Sequence, residues 1–422
     1  MRAPLRFAVA ACSALLVAPT VHAQAPAAPA ASAASAAPTG PTVRAEIAPP
    51  LQAAQKALAD KQYQLALQQL QLAEAVPGRT AYETYVLERM RFLAAAGLSD
   101  TAGTLKALEA ALATEQAEPA MRAPLMDQAS SAAYALKDYA KSVLWARRVI
   151  DAGARDDSIR LRLGQALYLQ AQYPEAAQAL DDLTARQRSE GRLPGETQLR
   201  LQASSLLKMG DEAGYARVLE DLLQVAPQPA IWSDRLVRLL RQPGFDEALV
   251  LDLLRLSRRV GALANAQADL EYAELALRAG FPAEALTALD AGDSAARLGQ
   301  GADAAAHKTL RERAQRQAAE DRAAPAPDAP ALLARDPTLA FNAGWAQYTA
   351  GQRAPGIALM RQALERGPQR SASVRLRLAA ALADSGDAAQ ARTLLIALRD
   401  GRASDGSSDL ARLSLIALGA GR

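Results

Sequence analysis

Hydrophobic and polar positions along this 422-residue chain fall into short amphipathic runs. The clearest pair lies between Ser158 and Leu183, SIRLRLGQALYLQAQYPEAAQALDDL. Apolar residues recur at helical spacing up to Leu169, a polar break follows at 170–172, and a second periodic run extends from Tyr173 through Leu183. The pattern predicts two amphipathic helices joined by a tight turn. Pro174 suits the first turn of the second helix, where its missing N–H costs nothing. Gly164 and Ala176, one small residue per helix, mark places where facing backbones can approach closely.

The same pattern recurs along the chain. Positions equivalent to Gly164 are Ala54, Met90, Ser130, Ala203, Leu236, Ala273, Gly344 and Ala379. Including Gly164 in order, the intervals are 36, 40, 34, 39, 33, 37, 71 and 35, and the 71 is two periods. A period near 34 residues is the mark of a repeat architecture. Each pair breaks at a turn-prone stretch, such as Asp60-Lys61-Gln62, Gly97-Leu98-Ser99, Gly280-Phe281-Pro282 or Gly386-Asp387-Ala388. The glycines in these turns are expected to end helices with left-handed caps. Pro77, Pro227 and Pro368 follow second helices and stop them. Alternating strand patterns and hairpin dipeptides between them are missing, so the class is all-α. One pair cannot bury its apolar stripe alone, whereas stacked neighbours can.

On these residues the chain resembles the tetratricopeptide-repeat (TPR) proteins. That family places a small residue in the first helix, an aromatic at the start of the second, an alanine three residues later and a proline at the end. Gly164, Tyr173, Ala176 and Leu180 fit, as do Ala54, Tyr63, Ala66 and Pro77, and Gly344, Met360, Ala363 and Pro368. Gly356 stands where a second-helix alanine is usual, Met90 and Leu236 are large for the small position, and Arg160 and Ala340 stand where the family often has tryptophan. The resemblance covers roughly residues 51–400 and implies a right-handed α-solenoid of about nine TPR-like helix pairs. It also implies a concave groove, lined by first helices, that holds peptide segments of partner proteins. The corresponding positions are Phe341, Trp345 and Tyr348 in the late pairs, and Tyr168, Arg200, Leu207 and Lys208 in the middle. Helical spacing of the three late aromatics fits both a groove wall and a packed core, and core packing is the simpler reading.

Composition divides the chain further. Arg2 and Arg6, an apolar run from Phe7 to Ala18 and the end Val21-His22-Ala23 read as a secretory signal peptide at 1–23, which predicts a periplasmic protein. Cys12, the single cysteine, follows Val9-Ala10-Ala11, and a lipoprotein anchor there is the alternative reading. The apolar run is too short for a transmembrane helix, which needs about 20 residues, and no later stretch predicts an integral span. Residues 24–50, rich in Ala, Pro, Ser and Thr, read as a disordered tether. Residues 51–297 hold about seven repeats. Residues 298–337 hold a charged helix over Ala302 to Arg322 and a Pro-rich loop at 325–330, as an insert or an eroded repeat. Residues 338–422 hold two further repeats and a capping helix from Ser408 to Leu418.

Charge and reactive residues narrow the function. Without Arg2 and Arg6 the chain has 46 basic and 45 acidic residues, and no basic run offers the concentrated surface that nucleic acid requires. After the signal the single histidine is His307, in the charged helix, where a solvated position is the simple reading. One histidine and no cysteine support neither a His-based metal site nor a Ser-His or Cys-His pair. Phosphate-loop and nucleophile-elbow motifs are missing. Carboxylate pairs such as Asp156-Asp157 and Asp181-Asp182 read as helix caps or solvated faces. The expectation is a non-enzymatic scaffold without cofactor or metal, binding protein or peptide segments of envelope proteins. An accessory subunit of a cell-envelope system, for polysaccharide export, envelope assembly or TonB-type energised uptake, is the alternative. The oligomeric state is left open by the sequence.

Overall fold

A computed structural model describes residues 42–263, 265–299, 304–324, 328–369 and 371–419. The signal segment, tether residues 24–41 and loop residues 325–327 lie outside them. Among the described residues every regular element is helical. The chain divides between Leu183 and Thr184 into two compact units, each taken by itself below; the boundary falls inside α8.

Unit 1 holds the hairpins α1 (Ala48–Ala59) with α2 (Tyr63–Glu74), α3 (Ala81–Gly97) with α4 (Thr101–Ala113), α5 (Pro119–Ala135) with α6 (Tyr139–Asp151), and α7 (Asp157–Leu169) with α8 (Tyr173–Ser189). In unit 2, α9 (Glu196–Met209) pairs with α10 (Glu212–Val225), and α11 (Pro229–Leu240) with α12 (Val250–Arg259). They are followed by α13 (Ala266–Arg278) with α14 (Pro282–Ser294), the single helices α15 (Ala304–Ala323) and α16 (Ala329–Arg335), then α17 (Pro337–Thr349) with α18 (Arg353–Glu365) and α19 (Ser371–Asp384) with α20 (Ala388–Asp400). The last helix is α21 (Ser407–Gly419). The nine hairpins coincide with the nine periodic pairs of the sequence.

Small residues twelve apart set the crossings. Ala54 and Ala66, Ser130 and Ser142, Gly164 and Ala176, Ala273 and Ala285, Gly344 and Gly356, and Ala379 and Ala391 are all buried. The α17–α18 crossing is tight enough that a Cβ on Gly344 would stand 2.8 Å from the Gly356 carbonyl oxygen. Gly356, which breaks the family's alanine rule, is therefore what this crossing needs. At Gly164 a Cβ would meet the side chain of Leu180 instead. The register does not extend to Met90, which is partly buried, while Ala94 in the next turn of α3 is fully covered.

Every hairpin turn contains a residue with positive φ, but glycine fills only some of them. Gly210, Gly244, Gly280, Gly351 and Gly386 serve in unit 2; Lys61, Ser99, Lys137 and Ala171 serve in unit 1. Gly97, expected as a left-handed cap, is helical: a Cβ there would overlap the ring of Tyr63, so the glycine makes room for packing and Ser99 makes the turn.

Two boundaries and one side-chain placement differ from the sequence reading. Residues 42–50 are folded rather than tether, because Ile47 and Ala48 begin the apolar stripe of α1 and are buried, and Pro49 and Pro50 sit in a first turn that tolerates proline. The Arg44 backbone N–H and Nε each donate to Glu83 Oε1 at 2.9 Å, and Glu83 also closes a capping box with Thr80. Ala329 and Pro330, expected in the Pro-rich loop at 325–330, begin α16: the Asp328 carboxylate caps the Ala331 N–H and Leu333 is buried. His307 is buried, not solvated, and its Nδ1 accepts the Gly299 N–H at 3.1 Å.

Candidate functional site

The site builds from charges placed on apolar helix stripes in unit 2. In α12, Asp252 and Arg255 are one turn apart among Leu251, Leu253, Leu254 and Leu256, so burying the stripe buries the charges. In α14, Glu284 does the same beside Ala285 and Ala288. A buried charge must be paired and hydrogen-bonded, and these are. The Arg255 guanidinium grips Glu284 with two bonds, Nε to Oε1 at 2.7 Å and Nη2 to Oε2 at 2.8 Å, and donates to Asp252 at 2.6 Å. Tyr272 Oη on α13 donates to Glu284 Oε1 at 2.8 Å, and Trp345 Nε1 on α17 donates to Oε2 at 2.8 Å. Ser373 on α19 donates to Asp252, and Arg377 donates to Ser373 Oγ at 3.0 Å and to Asn342 at 3.0 Å. Farther along, Arg259 donates to Asp384 at 2.6 Å and to the Ala380 carbonyl at 2.8 Å.

Five helices meet in this network. Burial by itself would raise the Glu284 carboxyl, but the Arg255 charge and the bonds from Arg255, Trp345 and Tyr272 hold it below the ordinary carboxylate range. Burial and the neighbouring Glu284 charge push the Tyr272 phenol up. The Tyr348 phenol, which donates to Asp384 at 3.1 Å, is pushed up to about 12 by burial and by the Asp384 charge. The guanidinium of Arg255 also stacks 4.7 Å from the Trp345 ring, and that of Arg377 lies 5.5 Å from the Phe341 ring.

The sequence-derived site residues separate. Phe341 is fully buried and Trp345 nearly so, because α12, α14 and α19 of the same unit cover that face of α17. Those two positions are therefore core, and the tie from Trp345 to Glu284 also joins the pairs on either side of the insert directly. Tyr348 is half-buried at the edge of the network. Arg200, Leu207 and Lys208 are exposed on α9, and Arg200 pairs with Glu196 at 2.7 Å on its own helix. Tyr168, in unit 1, is half-buried with its ring 5.3 Å from that of Tyr173.

A cleft of about 510 Å³ opens over the network, between α12, α14, the α17–α18 turn, α19 and α21. Its floor carries Arg255, Glu284 and Trp345, one wall is apolar with Leu395, Leu410 and Leu418, and its mouth carries Arg258 and Arg353. α21 supplies Leu410 and Leu418 of that wall, α20 supplies Leu395, and α21 also packs on the last hairpin. It is held by Arg412, which donates to Glu220 of α10 at 2.6 and 3.0 Å, while Arg235 of α11 donates to the same carboxylate at 2.8 Å. Helical periodicity alone does not single out Asp252, Arg255, Glu284, Arg377 or Asp384. The signal was present as charged residues at stripe positions of α12 and α14. Among the described residues, no three His, Cys, Asp or Glu side chains are grouped to hold a metal, and no helix is long and apolar enough to cross a membrane.

The chain is an all-α helical-repeat protein. No protein-family model matches it, and no curated protein matches it. Among solved structures it is similar to the C-terminal part of a TPR repeat-containing protein from Cytophaga hutchinsonii, at 12% identity over 61% of this chain and 98% of that one, with a TM-score of 0.32. It is also similar to yeast Tom70, at 12% identity over 89% and 95% with a TM-score of 0.25, and to the TPR2AB domain of yeast Sti1, solved as a pHSP90 complex, at 15% identity over 71% and 98% with a TM-score of 0.24. Overlaps this partial leave the fold resting on the helix hairpins themselves.

Proposed function

We propose that this chain is a non-catalytic scaffold of the tetratricopeptide type, exported to the periplasm, and that it holds a segment of a partner protein in the unit 2 cleft. The observation that carries this reading is the cleft itself. Its floor is a saturated ion network whose side chains are already committed to one another, so it offers a rigid, preorganised surface rather than a reactive group. A basic, apolar and then small-residue pattern at the start of the sequence supports export.

A photo-reactive amino acid placed at Thr287 or Thr349, both lining the cleft, tests the binding role in the producing cell. A discrete cross-linked protein is expected from these positions and not from Leu65, an exposed position of unit 1. Identical cross-linking from all three, or none from the cleft positions, would reject the cleft as the binding site. Fractionation of the tagged chain tests export, with recovery in the osmotic-shock fraction expected.

A further inference from the structure

We propose that α21 is a salt-sensitive latch: its seam with α10 and α11 opens and closes, and the resulting tilt of α21 widens or narrows the cleft. The consequence for binding rests on the scaffold reading of that cleft. Two faces of α21 carry the device. Leu410, Ser414 and Leu418, one turn apart, line the cleft. Asp409 and Arg412 meet Glu220 of α10 and Arg235 of α11. Movement at the second face therefore moves the first.

The charges at the seam can part without loss of partners. Arg235 donates Nε and Nη2 to Glu220 Oε1 at 2.9 and 2.8 Å. Arg412 donates Nε to Glu220 Oε2 at 2.6 Å and Nη2 to Oε1 at 3.0 Å. Arg412 also donates to Asp409 on its own helix. The four charges thus make one complete pair on each side. When α21 tilts away, Glu220 keeps Arg235 and Arg412 keeps Asp409. Breaking a buried ion pair is costly chiefly because it strands a charge, and here neither side is stranded. The Arg412 side chain is 40% exposed, so water and salt reach the tie. Beside the charges, the Asp246 N–H donates to the Asp405 carbonyl at 2.9 Å, and the half-buried Phe245 ring lies against Gly406.

The opposite side of α21 is tied at both ends to α20. Ser408 Oγ donates to the Leu398 carbonyl at 3.2 Å, and Arg392 donates to the Leu418 carbonyl at 3.3 Å. α19 in turn is fixed to α12 through Ser373 and Asp384. The tilting body is therefore α20 with α21, and the turn that joins it to α19 holds Gly386 at a φ of +87°.

The first measurement needs no partner. In a Cys12→Ser background of the full chain, Ser414→Cys puts the single thiol on the cleft face of α21, and Ser257→Cys puts it instead in the buried face of α12 as a control. The rate of labelling by a bulky maleimide is read. Raising salt from about 0.05 to about 0.5 M should speed labelling at position 414 roughly three- to fivefold, the scale of a part-exposed ion pair. Arg412→Gln should give the fast rate already at low salt, with the control rate unchanged. A rate at position 414 that ignores both salt and Arg412→Gln, or a rise shared by the control, would overturn the latch. The second measurement joins the seam. Asp246→Cys and Ser404→Cys, both exposed, are bridged by a short bis-maleimide in a chain carrying the photo-reactive residue at position 287. Capture of a protein by the unbridged chain and its loss on bridging is expected. Equal capture by both forms would overturn the latch. No capture by either form, with labelling still salt-dependent, would leave the latch standing and remove the scaffold reading.

Discussion

The two units use the same hairpin but hold it together differently. In unit 1 the polar ties join hairpins close in sequence: Ser130 Oγ donates to the Ser142 carbonyl within one pair, and Arg162 Nε donates to Ser130 Oγ from the next pair. In unit 2 the corresponding ties span the unit, from Asp252 to Ser373, from Arg259 to Asp384 and from Glu220 to Arg412. Unit 1 is thus close to a one-dimensional stack in which each hairpin needs its neighbours. In unit 2, paired charges select which distant helices meet, because any other packing would leave an arginine or a carboxylate buried alone. The turns differ in the same sense. The five positive-φ residues inside the hairpin turns of unit 2 are glycines, and the four inside those of unit 1 are residues for which that conformation costs energy.

The largest test of this contrast is Glu284→Ala. It leaves Arg255 with Asp252 alone and takes the acceptor from Tyr272 and Trp345, and a loss of about 3–5 kcal/mol is expected. Hydrogen exchange should show α12, α14 and α17 losing protection while α3 to α6 keep theirs; uniform loss across both units would refute independent bracing. Next comes a pair of glycine substitutions. Gly344→Ala, which drives a methyl group at backbone, should cost about 1–3 kcal/mol, measured by urea unfolding. Gly164→Ala should cost less, because the group in its way is the movable end of Leu180; a reversed order would contradict the crossing geometry.

Acid should expose the Arg44–Glu83 tie of unit 1. Burial would raise the Glu83 carboxyl, but bonds from the Arg44 side chain and from the Thr80 and Arg44 amides bring it down to about 2, against an ordinary value of 4.5. Its folded-state pKa is depressed, so its contribution is complete above the ordinary value and is lost as pH falls from about 4.5 towards 2. Melting temperatures over that interval should fall less steeply in Glu83→Gln than in wild type, and parallel slopes would remove this role. The smallest expected effect is a gain. Ala171→Gly relieves the left-handed turn of α7–α8 and should add up to about 1 kcal/mol, after glycine's entropy cost is deducted; a net loss in urea titration would show that the turn is not strained.

Much of the hairpin array can be read in the sequence because its cause is local. A small residue at a crossing, a break and a second small residue twelve positions later are a complete instruction within one pair, as Ala54 with Ala66 and Ala379 with Ala391 illustrate. The site was less accessible because its cause is distant. Helical spacing of Phe341, Trp345 and Tyr348 states that they share a face but not what covers it, and the covering residues lie on α12, α14 and α19. His307 was misplaced for the same reason, since its helix is charged overall and one position turns inward. Arg44 and Ile47 were hidden by the Ala/Pro composition of the segment before them, although two prolines at a helix start are permitted.

The clasp between α21 and α10 also bears on the order in which the protein comes into being. A ribosome emits the hairpins of unit 1 one after another, and each finds its neighbour already made. Glu220 and Arg235 emerge long before Asp409 and Arg412, so the second half waits with its ends unjoined until its final helix leaves the exit tunnel. A premature stop codon just before Ser407 would therefore damage helices made almost two hundred residues earlier, whereas an equally small loss from the end of α6 would be felt mainly next door.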